Sequence, residues 1–133
     1  MTQQFEVRVY YEDTDCGGVV YHANYLKFME RARTEALRGL GLEQGDIAAQ
    51  DDVVFALSQS DIRYLRPAIY DDLIRVETDL LAVKGARIVF KQAIYRNQEL
   101  LVTADITIAT ISKTGQAKRI PEYIRTCLRK EIS

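Results

Sequence analysis

Two periodicities divide this chain, and their order restricts the folds open to it. From about Asn24 to Leu40, Tyr25, Met29, Ala32, Ala36 and Leu40 recur at helical spacing while Lys27, Glu30, Arg31, Thr34 and Arg38 fall on the opposite side. This predicts an amphipathic helix of about five turns, ended by Gly39 and Gly41. Leu26, Phe28 and Leu37 widen its apolar arc, and Ala32 and Ala36 let another backbone approach closely. Past a polar connection from Glu43 to Asp52 the period becomes two and stays so through four runs, Val53–Arg66, Leu73–Val83, Ala86–Arg96 and Glu99–Ile111.

A further strand precedes the helix, with Phe5, Val7, Val9 and Tyr11 alternating with Glu6, Arg8 and Tyr10. In the last run Leu100, Val102, Ala104, Ile106 and Ile108 face one way and Leu101, Thr103, Asp105 and Thr107 the other, one dry face and one wetter, the mark of an antiparallel sheet. Lys84-Gly85 and Asn97-Gln98 suit hairpin turns, and Pro67 with Asp71-Asp72 separates the first two strands of the set, so the four are expected as a meander. Pro121 suits the first turn of a short terminal helix carrying Ile120, Ile124 and Leu128, with Arg125, Arg129 and Lys130 near its end. The layout is α+β, a single domain over 1–133 in which a five-stranded antiparallel sheet curls around one long helix. Such a sheet leaves two edges and a face to cover, which predicts a homo-oligomer, by edge pairing or sheet packing.

Composition excludes several classes. A net charge of −1 with dispersed basic residues makes no field for nucleic acid, and no apolar run approaches the ~18 residues of a membrane span. Met1 to Gln4 show no leader pattern, and two cysteines, Cys16 and Cys127, suit free thiols in a reducing compartment, so a cytoplasmic protein is expected. No phosphate-binding glycine motif occurs, and one histidine with two distant cysteines makes no usual zinc site, so neither a cofactor nor a metal is expected.

Reactive chemistry concentrates between Tyr10 and Tyr25, which hold three acids, adjacent Gly17 and Gly18, four tyrosines and the only histidine, His22. A carboxylate, a Gly-Gly turn and a helix start place a base on one side of a reacting carbonyl and N–H donors on the other, which points to acyl chemistry. Asp15 is the candidate general base or nucleophile, both routes being open, with Val20 to Ala23 entering the helix as oxyanion donors. Val20, Tyr21 and Tyr25 surround that helix start as candidate substrate contacts. Tyr11 alternates inward with Phe5, Val7 and Val9, which suits core packing as well as a site role. Glu12 and Asp13 suit solvated turn positions, and Cys16 has no second histidine to activate it.

The segment VRVYYEDTDCGGVVYHANYLKFMERARTE, from Val7 to Glu35, closely resembles the hotdog-fold acyl-CoA thioesterases of the YbgC type, associated with the Tol-Pal system and related to 4-hydroxybenzoyl-CoA thioesterases. The strand pattern agrees over almost the whole chain. The resemblance implies that Asp15 is the catalytic carboxylate, that His22 assists while its backbone N–H polarises the thioester carbonyl, and that Tyr11 supports the site. It also implies sites at subunit interfaces, in dimers commonly paired into tetramers. Cys16 stands where some relatives carry alanine.

Coenzyme A carries phosphates, so a basic rim is expected. Lys84 and Arg87 beside Gly85, with Lys91, form one candidate, and Lys113, Lys118 and Arg119 another. Glu30, Arg31, Thr34 and Glu35 suit weak contacts on the helix surface, whereas Arg33 falls inside the apolar arc and is expected to meet an acid from a neighbouring strand or subunit. Two other functions compete with hydrolysis. Dehydration of a 3-hydroxyacyl thioester needs an acid and base layout that Asp15 and His22 do not resemble, and a module that binds acyl-CoA or acyl carrier protein without cleaving the thioester would release no thiol.

Overall fold

The computed structural model describes Thr2 to Ile132; the ends of the expected domain, Met1 and Ser133, lie outside the described residues. Strand β1 (Thr2–Arg8) leads through a short turn into helix α1 (Asn24–Gly39), helix α2 (Gln44–Asp51), strands β2 (Val54–Tyr64), β3 (Leu73–Lys84), β4 (Arg87–Arg96) and β5 (Glu99–Ile111), and helix α3 (Glu122–Arg129). The sheet order is β1-β3-β4-β5-β2, antiparallel at every pairing.

Only β3, β4 and β5 form the expected meander; β2 pairs with β5 at the far edge, and β1 takes the place beside β3. The connection from Leu65 to Asp72 makes this possible by crossing the end of the sheet. At one side the Leu65 and Arg66 N–H groups donate to the Leu101 carbonyl, and at the other Val9 N–H donates to Asp72 O while Asp71 N–H donates to Val9 O. Leu101 is the bulged residue of β5. Ile94 pairs with Val102 and Tyr95 with Leu100, so the strict alternation read from the sequence slips there, and Leu101 is buried as well as Val102.

One face of the sheet is dry. Ile74, Val76 and Leu80, then Ile88, Phe90 and Ile94, then Val102, Ile106 and Ile108 pack against Phe28, Met29, Ala32 and Leu37 of α1. Each such side chain stabilises the fold by about 1.5–3 kcal/mol, which overrides the modest helix propensity of Phe28 and Tyr25. The polar connection from Glu43 to Asp52 contains α2, which buries Ile47 alone and therefore carries almost no apolar signal. The terminal helix forms as expected, burying Ile124 and Leu128, with Pro121 at its N-cap; Arg125 donates to the Gly85 and Ile120 carbonyls and ties it to the β3–β4 hairpin. Cys127 sits half-buried against the core. On α1 the Thr34 hydroxyl donates to Glu30, and Arg38 reaches Glu35 and Glu43.

Among the described residues, no neighbouring strand supplies Arg33 with an acid. It is buried on α1, and its partner within the chain is the neutral side-chain oxygen of Gln92, at 2.9 Å. The β strands supply no carboxylate on that face, because their acids stand on the other side of the pleat.

Candidate active site

The reactive segment starts where β1 stops. The Tyr10 N–H donates to Asp13 Oδ2 at 2.8 Å and closes a 3₁₀ turn over Tyr11–Asp13, and the strand ends at Arg8, before its alternation through Tyr11 is complete. Tyr11 is consequently turned outward, 79 % exposed, with its ring edge-on to Tyr70 at 5.6 Å. It packs no core, and the inward reading is corrected.

Asp15 then opens a tight turn. Its N–H donates to Val19 O at 2.9 Å, Gly18 N–H returns to Asp15 O at 3.1 Å, and Gly17 N–H donates to Asp15 Oδ1 at 2.8 Å. Gly18 holds φ of +81°, which only glycine adopts without cost. Short bridges of Thr14 to Val20 and Val19 to Ile69 pin the turn to the crossing connection. Asp15 stays exposed, and Oδ2 makes no hydrogen bond among the described residues.

Helix α1 has no side-chain cap, since its N-cap is Ala23. Of the four proposed oxyanion donors, two are spent: Val20 N–H on the Ala68 carbonyl at 2.9 Å and Tyr21 N–H on the Asp13 carbonyl at 2.9 Å. The His22 and Ala23 N–H groups make no hydrogen bond among the described residues, at the positive end of a 16-residue helix. Around them stand aromatic rings, with His22 4.5 Å from Tyr21 and 6.5 Å from Tyr64 between centroids, and the Tyr64 hydroxyl donating to the His22 carbonyl at 3.4 Å.

Tyr25 is nearly buried, and its hydroxyl accepts the Ala68 N–H at 3.0 Å. Burial holds its phenol above the ordinary range. Ala68 thus ties the start of α1 to the crossing connection twice, through Val20 and Tyr25. That connection is clamped in turn by Arg96, which donates to Asp72 at 2.6 Å, to the Pro67 carbonyl at 3.3 Å and to Glu99 at 2.6 Å. Asp72 also accepts the Ile69 N–H at 2.9 Å. The pairing raises the Arg96 pKa and lowers that of Glu99.

Two clefts result. Asp15 lines one of about 390 Å³ with Tyr11, Thr14, Cys16, Gly18 and Tyr70. His22 lines another of about 230 Å³ with Val20, Tyr25 and Tyr64. Within one chain the carboxylate and the open helix start therefore face separate spaces, although a single turn carries both. Lys84 and Arg87 are exposed on the β3–β4 hairpin and line neither cleft, and Lys118 of the other basic candidate faces Asp52 at 3.8 Å. Tyr64, Tyr70, Asp72 and Arg96 were not foreseen. They lie more than 40 residues from Asp15 and carry no motif of their own.

The thioesterase superfamily model matches residues 17–103. The chain is 49% identical over 107 residues to the acyl-CoA thioesterase YbgC of Haemophilus influenzae, covering 80% of this chain and 79% of that one. It is 39% identical over 123 residues to the acyl-CoA thioester hydrolase YbgC of Escherichia coli O6:H1, covering 91% of each. Among solved structures, a probable thioesterase from Bartonella henselae superposes with a TM-score of 0.87 at 38% identity, over 91% of this chain and all of that one. With its sheet curled around α1 in the hotdog arrangement, and with the family model and both relatives matching most of its length, the chain belongs to the thioesterase superfamily.

Proposed function

We propose that the chain hydrolyses acyl-CoA thioesters with Asp15 as general base and the His22 and Ala23 N–H groups as the oxyanion site. The observation that carries this reading is the pair of open donors at an uncapped helix start, one turn after a carboxylate with a single oxygen committed. Water adds to the thioester carbonyl carbon, passing its proton to Asp15 Oδ2, and the oxygen that becomes negative is held by the two N–H groups. The tetrahedral intermediate collapses, the C–S bond breaks, and the thiolate of coenzyme A leaves with the proton that Asp15 had taken from water, with the His22 side chain, which lines the cleft at the helix start, assisting its departure. Each oxyanion donor is worth about two to three orders of magnitude in rate.

The active form is a homo-oligomer, a dimer or a tetramer of paired dimers. Support comes from β2, an 11-residue edge strand whose residues from Leu57 to Asp61 are all exposed, and from the two clefts, which a second copy would join into one site. The acyl-CoA substrate and the free thiols fit a cytoplasmic enzyme, and acyl carrier protein is a second thioester donor of the same chemistry. The basic residues that hold the phosphates remain those of the β3–β4 hairpin, Lys84 and Arg87, brought to a neighbouring copy.

Thiol release from a panel of acyl-CoA esters tests the reading. Wild type turns over at least one ester, and Asp15→Asn falls by about a hundredfold or more with its fold intact. Binding without thiol release would make the chain a carrier module instead. Native mass spectrometry across dilution tests the assembly; a monomer with full activity would refute the shared site.

A further inference from the structure

Helix α1 carries one charge on its buried face. Arg33 is 7 % exposed, and its only hydrogen bond among the described residues runs from Nη1 to Gln92 Oε1. Gln92 is fixed in that orientation, since its Nε2 donates to the Met29 carbonyl at 3.0 Å and to Thr78 Oγ1 at 2.9 Å. The acceptor is neutral, so it satisfies one N–H and does not neutralise the charge. Glu30, one turn away, is exposed and acts on Arg33 only through space, while burial holds the guanidinium below its ordinary pKa.

The remaining N–H groups of Arg33 are neither bonded nor sealed. Arg33 lines a cavity of about 110 Å³ between α1, the edge strand β2 and the dry face of the sheet, bounded by the apolar Leu57, Ile88 and Phe90 and by the polar Glu30, Thr34 and Gln44. A shallower cleft of about 390 Å³ adjoins it and shares Glu30, Arg33 and Leu57.

We propose that this cavity binds a carboxylate on a short apolar stem, with Arg33 as its counter-ion. A guanidinium presents parallel N–H donors that match a carboxylate in geometry and in charge, which a neutral oxygen does only in part. The apolar walls take the stem, and the volume, a few times the ~30 Å³ of a water molecule, limits it to a few carbons. Such a ligand has two sources, the free acid that thioester hydrolysis releases or the far end of an acyl group still joined to its thiol. The second source rests on the hydrolase reading; the first is tested without it.

Isothermal titration of the full chain with butyrate and hexanoate, against 1-butanol and butyramide, decides the matter. The acids are expected to saturate one site per chain, the uncharged analogues not to compete, and Arg33→Gln to weaken binding by about tenfold or more. Gln92→Glu keeps the test open if Arg33→Gln fails to fold, because it sets an internal acid beside Arg33 and is expected to displace the ligand, at a thermal midpoint lowered by the loss of the Gln92 donations to Met29 and Thr78. No saturable binding, equal binding by the alcohol, or undiminished binding in Gln92→Glu overturns the proposal. So does a dissociated oligomer in Arg33→Gln with no acid bound by wild type, which would assign the counter-ion to a second copy. A kcat/KM preference for acyl-CoA esters ending in a carboxylate, lost in Gln92→Glu, identifies the acyl end as the source; acid binding with no such preference identifies the released product.

Discussion

The Gly17 N–H donates to Asp15 Oδ1 at 2.8 Å, and a Cβ built on Gly17 would stand 3.2 Å from that same oxygen. The turn therefore aims the carboxylate with one residue and makes room for it with the absence of that residue's side chain. Gly18 serves a different end, since its φ of +81° is a backbone requirement with open space around it.

The two glycines should separate in experiment. Gly18→Ala strains the backbone and is expected to cost roughly 1 kcal/mol, read as a lower thermal midpoint. Gly17→Ala should leave the midpoint nearly unchanged and lower kcat by about tenfold or more, because small displacements of a catalytic group are expensive. Equal loss of stability and activity in both variants would show that the turn acts only as a fold element.

For His22, a substitution that keeps the backbone N–H isolates the side chain. His22→Asn is expected to lower turnover by about tenfold or more. Unchanged turnover would leave His22 as an oxyanion donor alone.

Arg96 holds the connection that supports the helix start, through Asp72 and the Pro67 carbonyl. Arg96→Lys loses the fork while keeping the charge, so about 1 kcal/mol and a few degrees in thermal midpoint are expected, discounted for partial exposure. If the clamp positions Val20 and Tyr25, kcat should fall more than KM rises, whereas a change in stability alone would confine Arg96 to folding.

Tyr123 of α3 donates a hydrogen bond to Asp51 of α2, and that bond, with burial and the carboxylate's charge, pushes its pKa up to about 12 from 10.0. The folded state thus favours the protonated phenol. Its contribution is whole below pH 10 and is lost as pH climbs from 10 toward 12. Tyr123→Phe should remove one late-titrating phenol from the absorbance titration while the buried Tyr25 keeps its own, and that variant should match wild type in denaturant midpoint near pH 12 but not below pH 10.

By itself the amino-acid sequence determined what repeats locally. The period of Tyr25, Met29, Ala32 and Ala36 dictates α1, the alternation from Leu73 to Ile108 dictates three neighbouring strands, and the order Asp15, Gly17, Gly18, His22 dictates a tight turn before a helix start, because each depends on residues near one another in the chain. Tertiary structure decided the rest. Whether β2 lies beside β3 or β5 turns on where the connection from Leu65 to Asp72 crosses the sheet, which no local spacing encodes. The same crossing spends Val20 N–H on Ala68 and so selects His22 and Ala23 as the open donors, and Gln92 reaches Arg33 across 59 residues without neutralising its charge. Hydrogen-bond partners and dielectric surroundings are properties of residues brought together from far apart, and only the folded chain supplies them.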